Sequence, residues 1–412
     1  MGHLTVTRVL VVEGAVLLLV FFFLHPSLIR LAGASLGIGG ATAACWRRHG
    51  QWWTDALVRG HDLRRRATSG RLATNDPRLR ALHQIVPDLA IEPVTMPDGA
   101  SIGVCRDGGG WFAVAAITPD PGGTGSGGVG LPLAELTTLL TEAGLPGLGM
   151  QLVIRAEQSL PGAVGPGHLA GASYQELMER IGDVVPASTD MWLAVRVEAA
   201  AMTLTGVDPG NAESDLPRAL ATTMRRACRI LNRAGSPCVP LDEQGVLETL
   251  GRCLDLPADA ADAPDAAGAP DEAGAPHEAG GAEAAPGRLP RPTDGPGRED
   301  GPGERWWAWS SAKLTHASFW LEDWPEPEDV GPLLDLLLRT AAAVVHLALT
   351  IRPRPDGTDL RCLVRISAIP RLLGPAHDEL LRGAESFGCR LRRLDGEQAV
   401  AAYATAPTGG PA

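Results

Sequence analysis

The sequence predicts a mixed α/β (α+β) cytosolic domain whose sheet is shared across an insertion, preceded by a two-helix transmembrane hairpin. Three observations predict it. Two apolar segments open the chain, at 6–24 and 31–45. Strand-like and helix-like patterns then alternate on both sides of a break in composition, which favours one mixed sheet over two unrelated pieces. The break itself, PADAADAPDAAGAPDEAGAPHEAGGAEAAPGRLPRPTDGPGREDGPGE, holds a single large apolar residue, Leu289, and cannot offset its ordering entropy by burial.

The first apolar segment, VTRVLVVEGAVLLLVFFFL, has only Arg8 and Glu13 as charges. At about 1.5 Å per residue it approaches the roughly 30 Å of a bilayer's hydrocarbon core. The second, LAGASLGIGGATAAC, reaches that length when extended back through Ser27 with Arg30 at the interface. A cleaved signal peptide is the competing reading. It fits poorly, because no small-x-small site follows Phe23 before apolar sequence resumes. Arginines concentrate after Cys45, at 47, 48, 59, 64, 65, 66 and 71, so the expected placement is a multi-pass plasma-membrane protein with both termini and the main domain cytoplasmic. Gly33, Gly37 and Ala41 fall four apart, as do Gly40 and Ala44, which predicts a face for close helix packing. Glu13 is the one acidic intramembrane charge of that expectation.

Residues 46–72 predict a basic juxtamembrane helix at the headgroup layer. Trp46, Trp52 and Trp53 suit an interfacial belt, and Arg47, Arg48, Arg64, Arg65 and Arg66 suit anionic lipid headgroups. The domain then divides into a first part over 73–255, a disordered acidic linker over 256–304, a second part over 305–404 and a disordered tail over 405–412.

Within the first part, ASIGVCRDGGGWFAVAAIT at 100–118 predicts a β-hairpin whose two strands flank Arg106-Asp107-Gly108-Gly109-Gly110. LPLAELTTLLTEAG carries a leucine stripe at 133, 136, 139 and 140 and ends in Gly144, which predicts a helix. Strands follow at 150–158 and 190–198, and helices near 173–181, 214–234 and 242–254. In the second part, two strands are expected to hold Trp306, Trp307, Trp309, Trp320 and Trp324. A helix near 328–341, strands at 342–352 and 358–368, a helix near 373–385 and a strand at 388–394 complete the series.

The formal charge of −12 belongs mostly to the linker, where eleven Asp or Glu face three Arg. The folded remainder is close to −4, with no basic face for nucleic acid beyond the arginine collar. Seven cysteines at 45, 105, 228, 238, 253, 362 and 389 form no CxxC and no zinc spacing, so they read as reduced, buried thiols.

Candidate chemistry is thin. Gly125 to Gly130 matches GxGxxG, but Pro119 to Thr124 separate it from the preceding strand, so it reads as a loop. Gly33-Ala34-Ser35-Leu36-Gly37 matches a nucleophile elbow inside an apolar helix, where the chemistry has no sheet to stand on. There is no Walker A lysine, since the single lysine, Lys313, sits in Ser-Ala-Lys-Leu, and no Asp-x-Asp for a metal-bound sugar nucleotide. His316 and His346 read as satisfied strand histidines. No catalytic, cofactor-binding or metal residue is assigned.

The hairpin Ile102-Gly103-Val104-x-x-Asp107-Gly108-x-x-Trp111, the strand Trp192-Leu193-Ala194-Val195-Arg196 and the stretch Trp309 to Pro325 with His316, Phe319 and Trp324-Pro325 occur in an informative order. With the apolar hairpin and the Trp/Arg stalk, they make the chain similar to the EccE component of type VII (ESX) secretion systems. The resemblance implies a non-catalytic, membrane-anchored structural subunit at the periphery of a core complex with EccB, EccC and EccD. It also implies a glycosyltransferase-like fold without an active site, and no small-molecule substrate. The alternative from another class is a membrane-tethered glycosyltransferase-like enzyme.

Overall fold

The computed structural model describes residues 47–48, 51–52, 76–118, 132–158, 186–204, 215–256, 303–311, 314–354 and 357–410. In chain order these give β1 (Arg47–Arg48), β2 (Gln51–Trp52), α1 (Pro77–Ile85), β3 (Ala90–Thr95), β4 (Ser101–Asp107), β5 (Gly110–Ile117), α2 (Leu133–Glu142), β6 (Leu148–Gln158), β7 (Pro186–Glu198), α3 (Ala199–Leu204), α4 (Leu216–Arg233), β8 (Cys238–Pro240) and α5 (Glu243–Cys253). Beyond the insertion follow β9 (Gly303–Glu304), β10 (Trp309–Ser310), β11 (Thr315–Leu321), α6 (Val330–Leu338), β12 (Val344–Arg354), β13 (Gly357–Ala368), α7 (Pro370–Ser386), β14 (Leu391–Arg393) and α8 (Gln398–Ala404).

Local sequence accounts for the individual elements. Asp76 caps α1 by accepting from the backbone amides of Arg78 and Leu79, with Pro77 at the first helical position. Asp242 does the same for α5 through the amide of Gly245. In α4 the buried residues Leu216, Leu220, Met224, Ala227, Cys228 and Leu231 recur at helical spacing, while the intervening positions carry arginines. The β4–β5 hairpin closes through Gly108 and Gly109, and Gly110 takes φ 146°, where any Cβ would run into the carbonyl of Val197.

A single 12-stranded sheet runs in the order β3-β4-β5-β7-β6-β12-β13-β11-β10-β9, with β8 also on β5 and β14 also on β11. Every pairing in it is antiparallel. From its middle outward the order is the same on both sides. Among the described residues each half follows a β-α-β-β-α-β order: β5-α2-β6-β7-α4-β8 in the first, where the short α3 also lies between β7 and α4, and β11-α6-β12-β13-α7-β14 in the second. In each half the unit's opening strand divides one edge between two partners, β4 and β8 against β5, β10 and β14 against β11. The halves join along β6 and β12, from Met150 opposite Ile351 to Glu157 opposite Val344. A chain that folds the same unit twice and pairs the two equivalent edge strands antiparallel makes an approximate two-fold axis between them.

Helices cover both faces, which explains why the strands are apolar on consecutive residues and not only on alternate ones. On one face α2 and α4 bury the first half, with Leu136, Leu140, Leu220 and Met224 against Val195 and Met150; α6 and α7 bury the second, with Leu333, Leu337 and Leu380 against Phe319 and Val364. On the other face α1, α5 and α8 form one cluster that spans both halves, joining Leu82, Leu250 and Tyr403 to Phe112, Val153 and Trp309. Each fully buried large apolar side chain contributes about 1.5–3 kcal/mol.

Four sequence-based expectations are corrected. Among the described residues no helix is long and apolar enough to cross a membrane, which overturns the transmembrane hairpin and the multi-pass plasma-membrane placement drawn from it. The longest described helix, α4, spends its apolar residues on one stripe and keeps Arg218, Arg225, Arg226 and Arg229 within the same span. Segments 6–24 and 31–45 lie outside the described residues. Where the juxtamembrane helix was expected to begin, Arg47 pairs with Trp52 and Arg48 with Gln51 as antiparallel strands; the strand preference of tryptophan favours this. The glycosyltransferase-like fold is replaced by the duplicated antiparallel sheet, which offers no parallel switch point at which α/β sheets take nucleotides. The tail expected to be disordered is instead buried from Thr405 to Gly410. The strands and helices expected at 100–118, 150–158, 190–198, 214–234, 242–254 and 342–385 are all present within a few residues; the helix expected near 173–181 lies outside the described residues.

Because one cluster ties both halves together, unfolding is expected to be a single transition. Phe319→Ala, in the second half, should cost about 3–5 kcal/mol. Far-ultraviolet circular dichroism and tryptophan fluorescence should report one shared, lowered midpoint. Two separated transitions would show that the halves are independent.

Candidate functional site

The most concentrated chemistry lies on the α1/α5/α8 face, where polar side chains point from strands that are apolar around them. Arg196 of β7 is 1% exposed and Asp107, at the end of β4, is 8% exposed. They form a two-pronged ion pair, Nη1 to Oδ2 at 3.0 Å and Nη2 to Oδ1 at 2.6 Å. Asp107 also accepts from the amide of Gly109 at 2.9 Å and from the Tyr403 hydroxyl at 3.0 Å. Burial and the neighbouring Asp107 carboxylate hold the Tyr403 phenol well above its ordinary range, so it stays a neutral donor.

The chain's own C-terminal segment completes the cluster. The carbonyl of Thr408 accepts from Arg196 Nη1 at 2.9 Å. Gln151 of β6 donates to the carbonyl of Ala404 at 2.7 Å and accepts from the amides of Thr408 and Gly409 at 3.2 and 2.9 Å. Arg352 of β12 lies 2.6 Å from Glu198 and donates to the carbonyl of Gly410 at 2.5 Å. Gly409 adopts φ 82°, and a Cβ there would collide with the Arg196 side chain. The segment lies across β7, β6 and β12 and occupies the part of the sheet face where the charges converge.

A second row runs straight across five strands. Asp190 of β7 stands opposite Arg155 of β6, Arg155 opposite His346 of β12, His346 opposite Arg365 of β13, and Arg365 opposite Ser318 of β11. Arg155 is held by Asp190 at 3.3 Å and Glu157 at 3.0 Å. Arg365 is fully buried and gives one Nη2 bond, at 2.5 Å, to the carbonyl of Cys253 at the end of α5. Burial first, and then the Arg155 charge, pulls its pKa down to about 10, so it remains a cation at neutral pH. Burial and the Arg365 charge push both His346 and His316 well below the usual imidazole range and keep them neutral. His316 bonds Ser367 at 2.8 Å and stacks on Trp309, ring centroids 4.8 Å apart. His346 corrects the expectation of a satisfied strand histidine: neither ring nitrogen has a partner among the described residues.

The sequence-assigned positions fare differently. Gly33, Gly37, Gly40, Ala41, Ala44, Glu13, Trp46, Trp53, Arg64, Arg65, Arg66 and Lys313 lie outside the described residues. Arg47, Arg48 and Trp52 sit in the β1–β2 pair. Trp309 is a buried strand residue, and Trp307 and Trp324 pack on the second-half core from outside the strands. The residues quoted for the resemblance do meet: Asp107 of the hairpin motif grips Arg196 of the strand motif, and Trp309 covers His316. Gln151 and Arg365 carry no reading in the sequence, Arg196 enters it only within a strand motif and His346 only as a satisfied strand histidine, although each leaves a signal, a polar residue inside an otherwise apolar strand. Among the described residues no group of three or more His, Cys, Asp or Glu is placed to hold a metal ion. No protein-family model matches the chain, and none of the curated proteins is similar to it.

Removing one partner of the buried pair strands the other. Arg196→Met should therefore cost about 3–5 kcal/mol in denaturant unfolding. The double variant Arg196→Met/Asp107→Leu should be no less stable than Arg196→Met alone. Strictly additive losses would show that the two residues do not act as a pair.

Proposed function

We propose that this chain is a non-catalytic subunit of a type VII (ESX) protein-secretion complex, working by contact to support assembly of the core complex with EccB, EccC and EccD. One observation carries the reading. The motif residues that give the chain its resemblance to EccE are spent on the chain's own architecture, and the face on which its buried charges converge is filled by its own residues 404–410. A protein whose best-placed charged groups hold its own backbone has them committed to shape, and shape is what a complex subunit supplies. Its mildly acidic folded part and broad helical layers suit protein partners.

The test is genetic and biochemical together. Deleting the gene should reduce the amount of assembled EccB–EccC–EccD complex on native gels and reduce export of small WxG-type substrates, and the wild-type chain should restore both. Arg196→Met should lower chain abundance and complex abundance in parallel. Normal assembly and export in the deletion strain would contradict the proposal. So would turnover of a nucleotide sugar by the purified chain that is lost in Asp107→Asn, a result that favours the glycosyltransferase-like alternative.

A further inference from the structure

Two of the buried cysteines are not isolated. Cys228, in the last half of α4, and Cys238, the first residue of β8, bring their sulfurs to 2.9 Å. That is less than an ångström beyond the bonded distance of about 2.05 Å in a disulfide. The other described cysteines, 105, 253, 362 and 389, have no sulfur partner among the described residues. The closeness is imposed by the backbone. Asn232, one turn beyond Cys228, accepts from the amide of Cys238 at 2.7 Å and donates to its carbonyl at 3.2 Å, pinning the start of β8 onto the end of α4. Gly235 at φ 87° makes the reversal between them, and the amide of Ser236 returns to the carbonyl of Leu231 at 3.0 Å. Helix end, turn and strand start are each hydrogen-bonded to one another, and the two thiols project into the gap between them.

We propose that Cys228 and Cys238 are a disulfide-forming pair, joined when the chain folds in the presence of a small disulfide oxidant. The step is ordinary thiol–disulfide exchange. The thiolate of Cys238 attacks one sulfur of glutathione disulfide, forming a mixed disulfide and releasing one glutathione. The thiolate of Cys228 then attacks the Cys238 sulfur and releases the second. Each glutathione leaves as a thiolate and takes up a proton, so the two protons lost by the cysteines are matched by two gained by glutathione; the pair is oxidised by two electrons, and glutathione disulfide is reduced by the same two. In the folded chain both residues are 3% exposed. The Cys228 contact and burial together drive the Cys238 thiol far above its ordinary range. Exchange therefore occurs during folding or on local opening of β8, a three-residue strand paired among the described residues with β5 alone, and is slow on the closed protein. Once formed, the bond clamps α4 to the strand that covers half of one β5 edge. The second half closes the equivalent junction with apolar packing: Leu391 of β14 and Ala384 of α7 are both in its core.

The experiment uses the full chain, unfolded in denaturant and refolded with reduced and oxidised glutathione. Free thiols are then alkylated and the chain is mapped by non-reducing mass spectrometry. The expected result is a peptide pair linked through Cys228 and Cys238, lighter by two hydrogens, with Cys105, Cys253, Cys362 and Cys389 alkylated. Reduction with dithiothreitol should lower the Tm of the oxidised protein by about 4 °C, given the short closed loop and the size of the domain. The double variant Cys228→Ala/Cys238→Ala should show no dithiothreitol-dependent shift. If that variant fails to fold, Cys238→Ala alone serves, with Cys228 then recovered as an alkylated thiol. Full alkylation of both cysteines after oxidative refolding would overturn the proposal, as would a linked species with the same Tm as the reduced one.

Discussion

Arg196 takes a guanidinium into a layer closed to water, and the arrangement around it follows from that. A buried cation is tolerated only when a carboxylate and further acceptors meet it. Asp107 supplies the carboxylate from the end of β4, Thr408 supplies a carbonyl from the C-terminal segment, and the Phe112 ring lies 5.7 Å from the guanidinium carbon. Each of these partners carries a further requirement. Asp107 can present both oxygens only because the turn beyond it is glycine, whose amide it also binds. Thr408 arrives only because Gly409 leaves room for the arginine's own Cβ. Tyr403 must reach the same carboxylate, which fixes α8 on the sheet. One ion pair thus joins the first hairpin, the centre of the sheet and residues some 200 positions further along the chain.

That connection explains how a duplicated fold becomes one body. Two β-α-β-β-α-β units joined only along β6 and β12 could hinge about their shared ladder. The α1/α5/α8 layer prevents it, because α8 belongs to the second unit and packs beside α1 and the residues of the first. The tail then crosses the junction, anchored on β7 and β6 from one unit and on β12 from the other. The small side chains of α8, four alanines among seven residues, allow the close approach that this crossing needs.

Much of the local structure was legible in the sequence, and little of the global structure was. The β4–β5 hairpin announced itself through Asp107-Gly108-Gly109-Gly110, and α4 through its apolar stripe. The order of strands did not, because the two units share a path but no visible sequence repeat, and pairing across the axis depends on contacts nearly 200 residues apart. The tail was misread for a physical reason. Ala-Thr-Ala-Pro-Thr-Gly-Gly has the composition of the linker and no large apolar side chain to drive burial; two alanines are buried, and hydrogen bonds that Arg196, Gln151 and Arg352 offer from elsewhere order the rest. His346 shows the same limit: its strand was predicted, but whether its nitrogens find partners depends on which residues stand opposite on β6 and β13. The candidate site was visible only as anomalies, single polar residues in apolar runs, and those anomalies marked structural anchors.

The C-terminal segment is therefore part of the folded core. Native-state hydrogen exchange at the amides of Thr408 and Gly409, both bonded to Gln151, tests this directly. Opening energies equal to those of the central β6 and β7 amides to within about 1 kcal/mol are expected, so that the segment is released only when the domain unfolds. Exchange at the rate of an unstructured peptide, with β6 and β7 still protected, would contradict it.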